Sequence, residues 1–361
     1  MAVEHWDWIE QYEASHIYDP YVNQIKELRK EGANQQRSGN FTEAGNLYNE
    51  CARIAIKGGL LELELVHTYL ANTLLTHLEQ PDLLHKAVDI VIKCRKLNTD
   101  NFPWYPMIQL HLARVYNQLD PLSYVNEVRE IYDLVEIYVR HRTNLMYTIQ
   151  IARSYLELQL HQVKTAQDYA TLATEINPDD DYHHTSACNM KAWIYYRTGN
   201  FVAALEWFKE MEYHAKKSNE LPSHVINSVY QQGVCLLYLN RSYESEECFA
   251  HCKNLEDVYQ LKVSEWLNHS FYIARREYDI VSSAIDDKLS ENNLSTYSQL
   301  VYFLGKAVIL NLMGQHNTEE LSLARKVTQN FKKPEAYDLW IDAVTNGDTF
   351  FHNWHKVDHS K

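Results

Sequence analysis

The feature that most constrains this chain is a spacing of small and turn-forming residues that recurs along it. The stretch "YYRTGNFVAALEWF", Tyr195 to Phe208, breaks a run of aromatic and small residues once, at Thr198, Gly199 and Asn200. From Ala192 through Gly199, Ala204, Phe208 and Met211 the steps are 7, 5, 4 and 3 residues. Gly32, Gly39, Ala44, Tyr48 and Cys51 repeat those steps, as do Gly233, Asn240, Ser245, Phe249 and Cys252. Ser154, His161, Ala166, Ala170 and Ala173 follow in looser form. Small residues let two antiparallel helices approach, an aromatic fills the space between pairs, and Gly or Asn accepts a left-handed turn. A chain built this way stacks helix pairs one on the next.

The register extends to anchors at Gly32, Ala71, Ala113, Ser154, Ala192, Gly233, Ser270 and Ala307, with intervals of 37 to 42 residues. Eight helix pairs fit. With only 10 Gly and 8 Pro in 361 residues, long uninterrupted helices are favoured over a turn-rich β protein. Pro20, Pro81, Pro121, Pro222 and Pro334 fall at or near expected helix starts, where a missing N–H costs little, and Asp19 and Asp120 are placed to cap two of them. "KPEAYDLWIDAV", Lys333 to Val344, reads as a capping helix after the last pair. The expected organisation is one array over 1–345 and a loose tail over 346–361. Gly199 and Gly39 are expected in tight turns, with Ala204 and Ala44 buried at helix contacts.

"TGNFVAALEWF" and "SGNFTEAGNLY" resemble the inter-helix turn and second helix of the tetratricopeptide repeat (TPR) family, and "ATEINPDD", Ala173 to Asp180, is similar to its closing Asp-Pro segment. The resemblance implies an all-α, right-handed superhelical array of antiparallel helix pairs, a TPR-like α-solenoid, although the period here exceeds the family's. It also implies that the first helix of each pair lines a concave surface. The 40 residues at the family's lining positions include Lys26, Arg29, Arg37, Arg114, Arg197 and Arg275, the amides Asn72, Asn117, Asn189, Asn227 and Asn311, and the aromatics Tyr155, Trp193, Tyr196, Tyr230, Tyr238 and Phe271. They include no acid, where an even spread of the 48 Asp and Glu would put about five. A partly buried packing face loses charge of either sign. The functional alternative is a groove whose Arg forks pair with carboxylates and whose amides hold a peptide backbone.

The expected function is therefore a non-catalytic scaffold that binds a peptide or extended segment of a protein partner, acidic or carboxylate-bearing, in its concave groove. The candidate contacts are Arg29, Arg114, Asn189, Trp193, Tyr196, Arg197, Asn227 and Tyr230. Family members that clamp a carboxylate place a basic residue and an Asn four residues apart; Arg29 fits the first place, and Ala33 occupies the second. The Asn-rich lining is also similar to repeat-built receptors of bacterial peptide pheromones, and a peptide-responsive regulator is the second reading. The segment before Pro20 is too short for a DNA-binding helix-turn-helix.

Chemistry has few footholds. No phosphate loop, dinucleotide fingerprint or G-x-S-x-G elbow occurs, so no cofactor is expected. His352, His355, Asp358 and His359 near the C-terminus have a spacing that would suit a metal if helical, which leaves a metal-dependent enzyme as a lower-ranked alternative. Asp179 to Asp181 with His183 and His184 read as a solvated inter-repeat loop. A net charge of -14 argues against nucleic acid or an anionic membrane as partner. "MAVEHWDWIE" lacks the regions of a secretory signal, and the six Cys show no C-x-x-C, so a reducing, cytoplasmic setting with buried free thiols is expected.

Overall fold

The structure is a computed structural model that describes residues 5–37, 40–75, 83–97, 102–176, 180–218, 222–259, 261, 263, 265–291 and 294–347. Every regular element among them is helical, with no strand. The chain resolves into two compact units, Met1–Tyr138 and Val139–His359. Unit 1 holds α1 (His5–Ser15), α2 (Pro20–Arg37), α3 (Phe41–Gly58), α4 (Leu61–Leu75), α5 (Leu83–Cys94), α6 (Tyr105–Leu119) and α7 (Val125–Val139). Within it, α2 packs on α3, α3 on α4, α4 on α5 and α5 on α6.

Unit 2 begins with α8 (Thr143–Gln159), α9 (Val163–Ile176), α10 (Asp181–Arg197), α11 (Phe201–Ser218), α12 (Pro222–Tyr238) and α13 (Ser242–Tyr259). It continues with α14 (Glu265–Ala274), α15 (Tyr278–Leu289), α16 (Thr296–Leu312), α17 (Thr318–Thr328) and α18 (Asp338–Thr345). Here too helices pack in order, α8 on α9, α9 on α10 and α10 on α11, with α10 also touching α8 and α12. Such nearest-neighbour packing is the mark of an α-solenoid.

The turn inside each pair explains why the spacing recurs. His161, Gly199, Asn240, Arg276 and Gly314 all take positive φ, from 58° to 73°, and repeat every 36 to 41 residues through unit 2. Each turn then closes with the same bond from the following residue back to the first helix. Gln162 N donates to Glu157 O, Asn200 N to Tyr195 O, Arg241 N to Leu236 O, Glu277 N to Tyr272 O and Gln315 N to Leu310 O, at 2.8 to 2.9 Å. This six-to-one bond satisfies a carbonyl that the helix end would leave bare. Asn40 N donates to Gln35 O in the same way at 2.9 Å, although Gly39 itself lies outside the described residues, as does Pro81.

The small residues of the register hold the helix contacts. Ala44, Ala166 and Ala204 are fully buried, and Ser154 and Ser245 donate across the pair to Ala166 O at 2.7 Å and Gly233 O at 2.8 Å. Cys51 and Cys252 occupy equivalent places and reach Ile25 O at 3.6 Å and Ile226 O at 3.7 Å. Both are free thiols whose pKa burial pushes up to about 12. Asp19 caps α2, its Oδ1 accepting from Tyr21 N at 2.8 Å and Val22 N at 3.2 Å.

Gly32 and Gly233 are demanded by the aromatic of the second helix. A Cβ on Gly32 would lie 3.0 Å from Tyr48, and one on Gly233 would lie 2.9 Å from the Phe249 ring. Gly233→Ala is therefore expected to overpack this contact and cost about 1–3 kcal/mol, read as a lower midpoint in urea. Adding Phe249→Leu should return part of that loss. Equal additive losses from the two substitutions would show that the ring is not what excludes the methyl group.

Candidate functional site

The face expected to be open is, in large part, already covered by the chain. In unit 1 the first helices of the pairs are α2, α4 and α6, and α1 packs on α2, on the cluster it shares with α3 and α4, and on the segment before α6. Ile9 is fully buried, while Trp8 and Tyr12 pack against a cluster of Val22, Ile25, Cys51, Ile54, Ala55 and Leu63. Trp6 meets Trp104, the residue before α6, edge-on at 5.2 Å, and Trp8 meets Phe102 at 5.4 Å. Glu13, 4% exposed, grips Arg29 of α2 with both oxygens, Nε to Oε1 at 2.7 Å and Nη2 to Oε2 at 2.9 Å. This is the fork-to-fork geometry in which Arg recognises a carboxylate.

Deeper on the same face sit buried polar groups. Asn72 of α4 and His111 of α6 are 3% and 4% exposed, and neither the amide of the first nor the ring nitrogens of the second has a hydrogen-bond partner among the described residues. Tyr69 stands edge-on to His111 at 5.5 Å, and the charge of half-buried Arg114 reaches both. Burial, reinforced by that charge, holds His111 neutral with a pKa near 3.

In unit 2, α18 joins the last helix pair to the end of α8. A single 3-10 turn, Pro334–Tyr337, leads into this helix, which packs on α16 and α17. Fully buried Trp340 also donates from Nε1 to Gln159 O, at the end of α8, at 3.0 Å. The first and last helices of the unit thus meet. Tyr297, near the start of α16, lies 6.3 Å from the Trp340 ring. Arg197 ends α10 at 5% exposure, and its charge is felt by Tyr155, His161 and Tyr297. Asn311 donates to Val344 O at 3.1 Å.

These positions revise the expected contacts residue by residue. Trp193, Tyr196 and Tyr230 are 4%, 0% and 8% exposed and pack in one hydrophobic cluster with Phe208 and Leu236. Tyr230 OH donates to Asn268 Oδ1 at 3.0 Å. Arg197 is buried, and Arg29 is engaged by Glu13. Half-buried Arg114 belongs to unit 1, whereas half-buried Asn189 and Asn227 belong to unit 2. The scarcity of acids on the first-helix face follows largely from burial.

Asp180 and Asp181 do local work. Asp180 caps α10, accepting from His183 N at 3.1 Å, and Asp181 Oδ1 pairs with His214 Nδ1 at 2.6 Å. Asp179 and Pro178 lie outside the described residues, as do His352, His355, Asp358 and His359. Among the described residues no group of three or more His, Cys, Asp or Glu is placed to hold a metal ion, and no helix is long and apolar enough to cross a membrane. No protein-family model matches this chain, and no curated protein matches its sequence.

Proposed function

We propose that the chain is a non-catalytic binding scaffold of the tetratricopeptide-repeat type, which takes an acidic or carboxylate-bearing segment of a protein partner on the first-helix face of its pairs. One observation carries this reading: Arg29 already holds a carboxylate bidentately on that face, and the carboxylate comes from an acidic helix packed on it. Arg114, Asn189 and Asn227 are the half-buried polar residues with which the faces meet a partner. The second reading, a regulator that responds to a peptide, is favoured by the covering helix α1, since a ligand that binds only the uncovered form shifts the population toward it.

A partner recovered on the immobilised chain is to be titrated against Arg114→Ala, Asn227→Ala and the outer-face variant Lys209→Ala, whose parent side chain pairs with exposed Glu206. Loss of a charge-assisted contact at Arg114 should cost about 1.5–3 kcal/mol, roughly tenfold or more in affinity. Binding weakened by Lys209→Ala, with Arg114→Ala and Asn227→Ala unaffected, would place the partner on the other surface and reject the reading.

A further inference from the structure

We infer that α1 is an internal ligand, and that the unit 1 face beneath it is built for an external helix of the same chemistry: acidic, amphipathic and carrying tryptophan. This rests on the scaffold reading and names the partner class for one of its faces. At 11 residues α1 is below the length at which a lone helix persists in water, so its order comes from the surface it lies on. Its contacts fall at helical spacing, Trp6, Ile9 and Glu13 on one line and Trp8 and Tyr12 on the next. That is how an amphipathic helix docks in a groove.

The receiving face is made by α2, α3 and α4 together with the segment that leads into α6. Trp104 and Phe102 accept the two indoles edge-on, and the cluster around Val22 and Leu63 takes Trp8 and Tyr12. The charge requirement is specific. Arg29 is mostly buried, with its side chain 12% exposed, and its field already depresses His67 beside it. Without a carboxylate in its fork this face would hold a desolvated guanidinium, so it rejects a purely apolar helix and selects one with an acid in the place of Glu13.

Between Ser15 and Pro20 the chain passes through a turn in which Ile17 and Tyr18 are 59% and 96% exposed, while His16 stacks on Tyr12 at 4.3 Å and Asn23 Nδ2 donates to Ile17 O at 2.8 Å. Trp6, though it touches Trp104, is 43% exposed. A competing helix can therefore enter at the Trp6 end while the Glu13 end is still bound.

The test uses the full chain and a fluorescein-labelled synthetic peptide, "HWDWIEQYEASH", which copies residues 5–16. By anisotropy, the peptide should bind Trp8→Ala, whose own helix is loosened and whose Arg29 is untouched, at least tenfold more tightly than the unaltered chain. Glu13→Ala should show the same gain, which guards against one variant misfolding. The gain should vanish when Arg29→Ala is added, or when the peptide carries Gln in place of the acid that copies Glu13. Equal binding by all variants, or none by Trp8→Ala and Glu13→Ala when both keep their helical circular dichroism, overturns the inference. So does a gain traced by light scattering to dimers that exchange α1 between copies. A partner bound through Asn227 with no response to the α1 variants would leave the scaffold reading standing while this inference falls.

Discussion

Acidification from pH 7 to pH 4 is expected to destabilise unit 1 strongly through two buried histidines. His67 is fully buried, with Nδ1 2.7 Å from Leu63 O, and its pKa is lowered to about 4 by burial, partly offset by the carbonyl contact and aided by the charge of Arg29. The Tyr48 ring lies 6.3 Å away. His111 is brought to about 3 by burial and then by Arg114. Both folded values lie below the unfolded value near 6.5, so the unfolded chain binds more protons throughout this window. Stability is then full above pH 6.5 and falls as the pH drops toward 4 and 3. Each group withdraws about 2–3 kcal/mol by pH 4. Together they remove about 4–6 kcal/mol, a large share of the roughly 5–15 kcal/mol that holds an ordinary domain.

Carboxylates lose their charge in the lower part of the same range, so the histidine contribution must be isolated. His111→Gln keeps polar character without a titrating ring, and its melting temperature should fall less steeply between pH 6.5 and 4.5, where Asp and Glu are still largely ionised. An unchanged slope would mean that water reaches His111 in the native state. His161 in unit 2, lowered to about 4 by burial and by Arg197, predicts the same sign of dependence there.

The turns were legible in the sequence because a left-handed backbone restricts what can stand there. Gly199 and Asn240 are residues that accept positive φ cheaply, and each sits seven residues after its anchor. His161 was reached only by the register, and Arg276 breaks it, falling six residues after Ser270. The helix contacts were legible for a related reason: a Gly such as Gly233 opposite an aromatic such as Phe249 records a close approach.

What covers the first-helix faces was not legible. A face buried by its own chain and a face reserved for a partner both lose acids, so the pattern through Arg29, Trp193 and Arg197 could not separate them. The deciding contacts are not local. Glu13 reaches Arg29 from a helix that the opening residues advertise only by the spacing of Trp6, Ile9 and Glu13, and Trp340 meets Gln159 across 181 positions of sequence. The charge complementary to Arg29 sits three residues beyond "EHWDWIE", at Glu13.

Trp340→Ala is expected to be the most damaging single substitution in unit 2, at about 3–5 kcal/mol, because a fully buried indole leaves a cavity that its neighbours fill only partly. Its ring packs edge-on to Tyr337 at 5.3 Å and faces Tyr297 at 6.3 Å, while Nε1 supplies a donor to Gln159 O. A helix that merely capped the last pair would, on weakening, expose α16 and α17 alone. Because Trp340 also bonds the end of α8, its loss should loosen the unit at both places. Amide hydrogen exchange should therefore quicken in the last turn of α8 as well as in α17, and Arg197 should become accessible to reagents that modify guanidinium groups. Trp340→Phe keeps most of the ring and removes the donor, so it should cost about 1–3 kcal/mol, the penalty of a buried carbonyl left without its bond. Faster exchange confined to α16 and α17 would show that α18 is only a cap. Faster exchange at α8 in both variants would establish that unit 2 holds its first-helix face shut with its own last helix, and that a ligand for this face must displace Trp340 before it can reach Arg197.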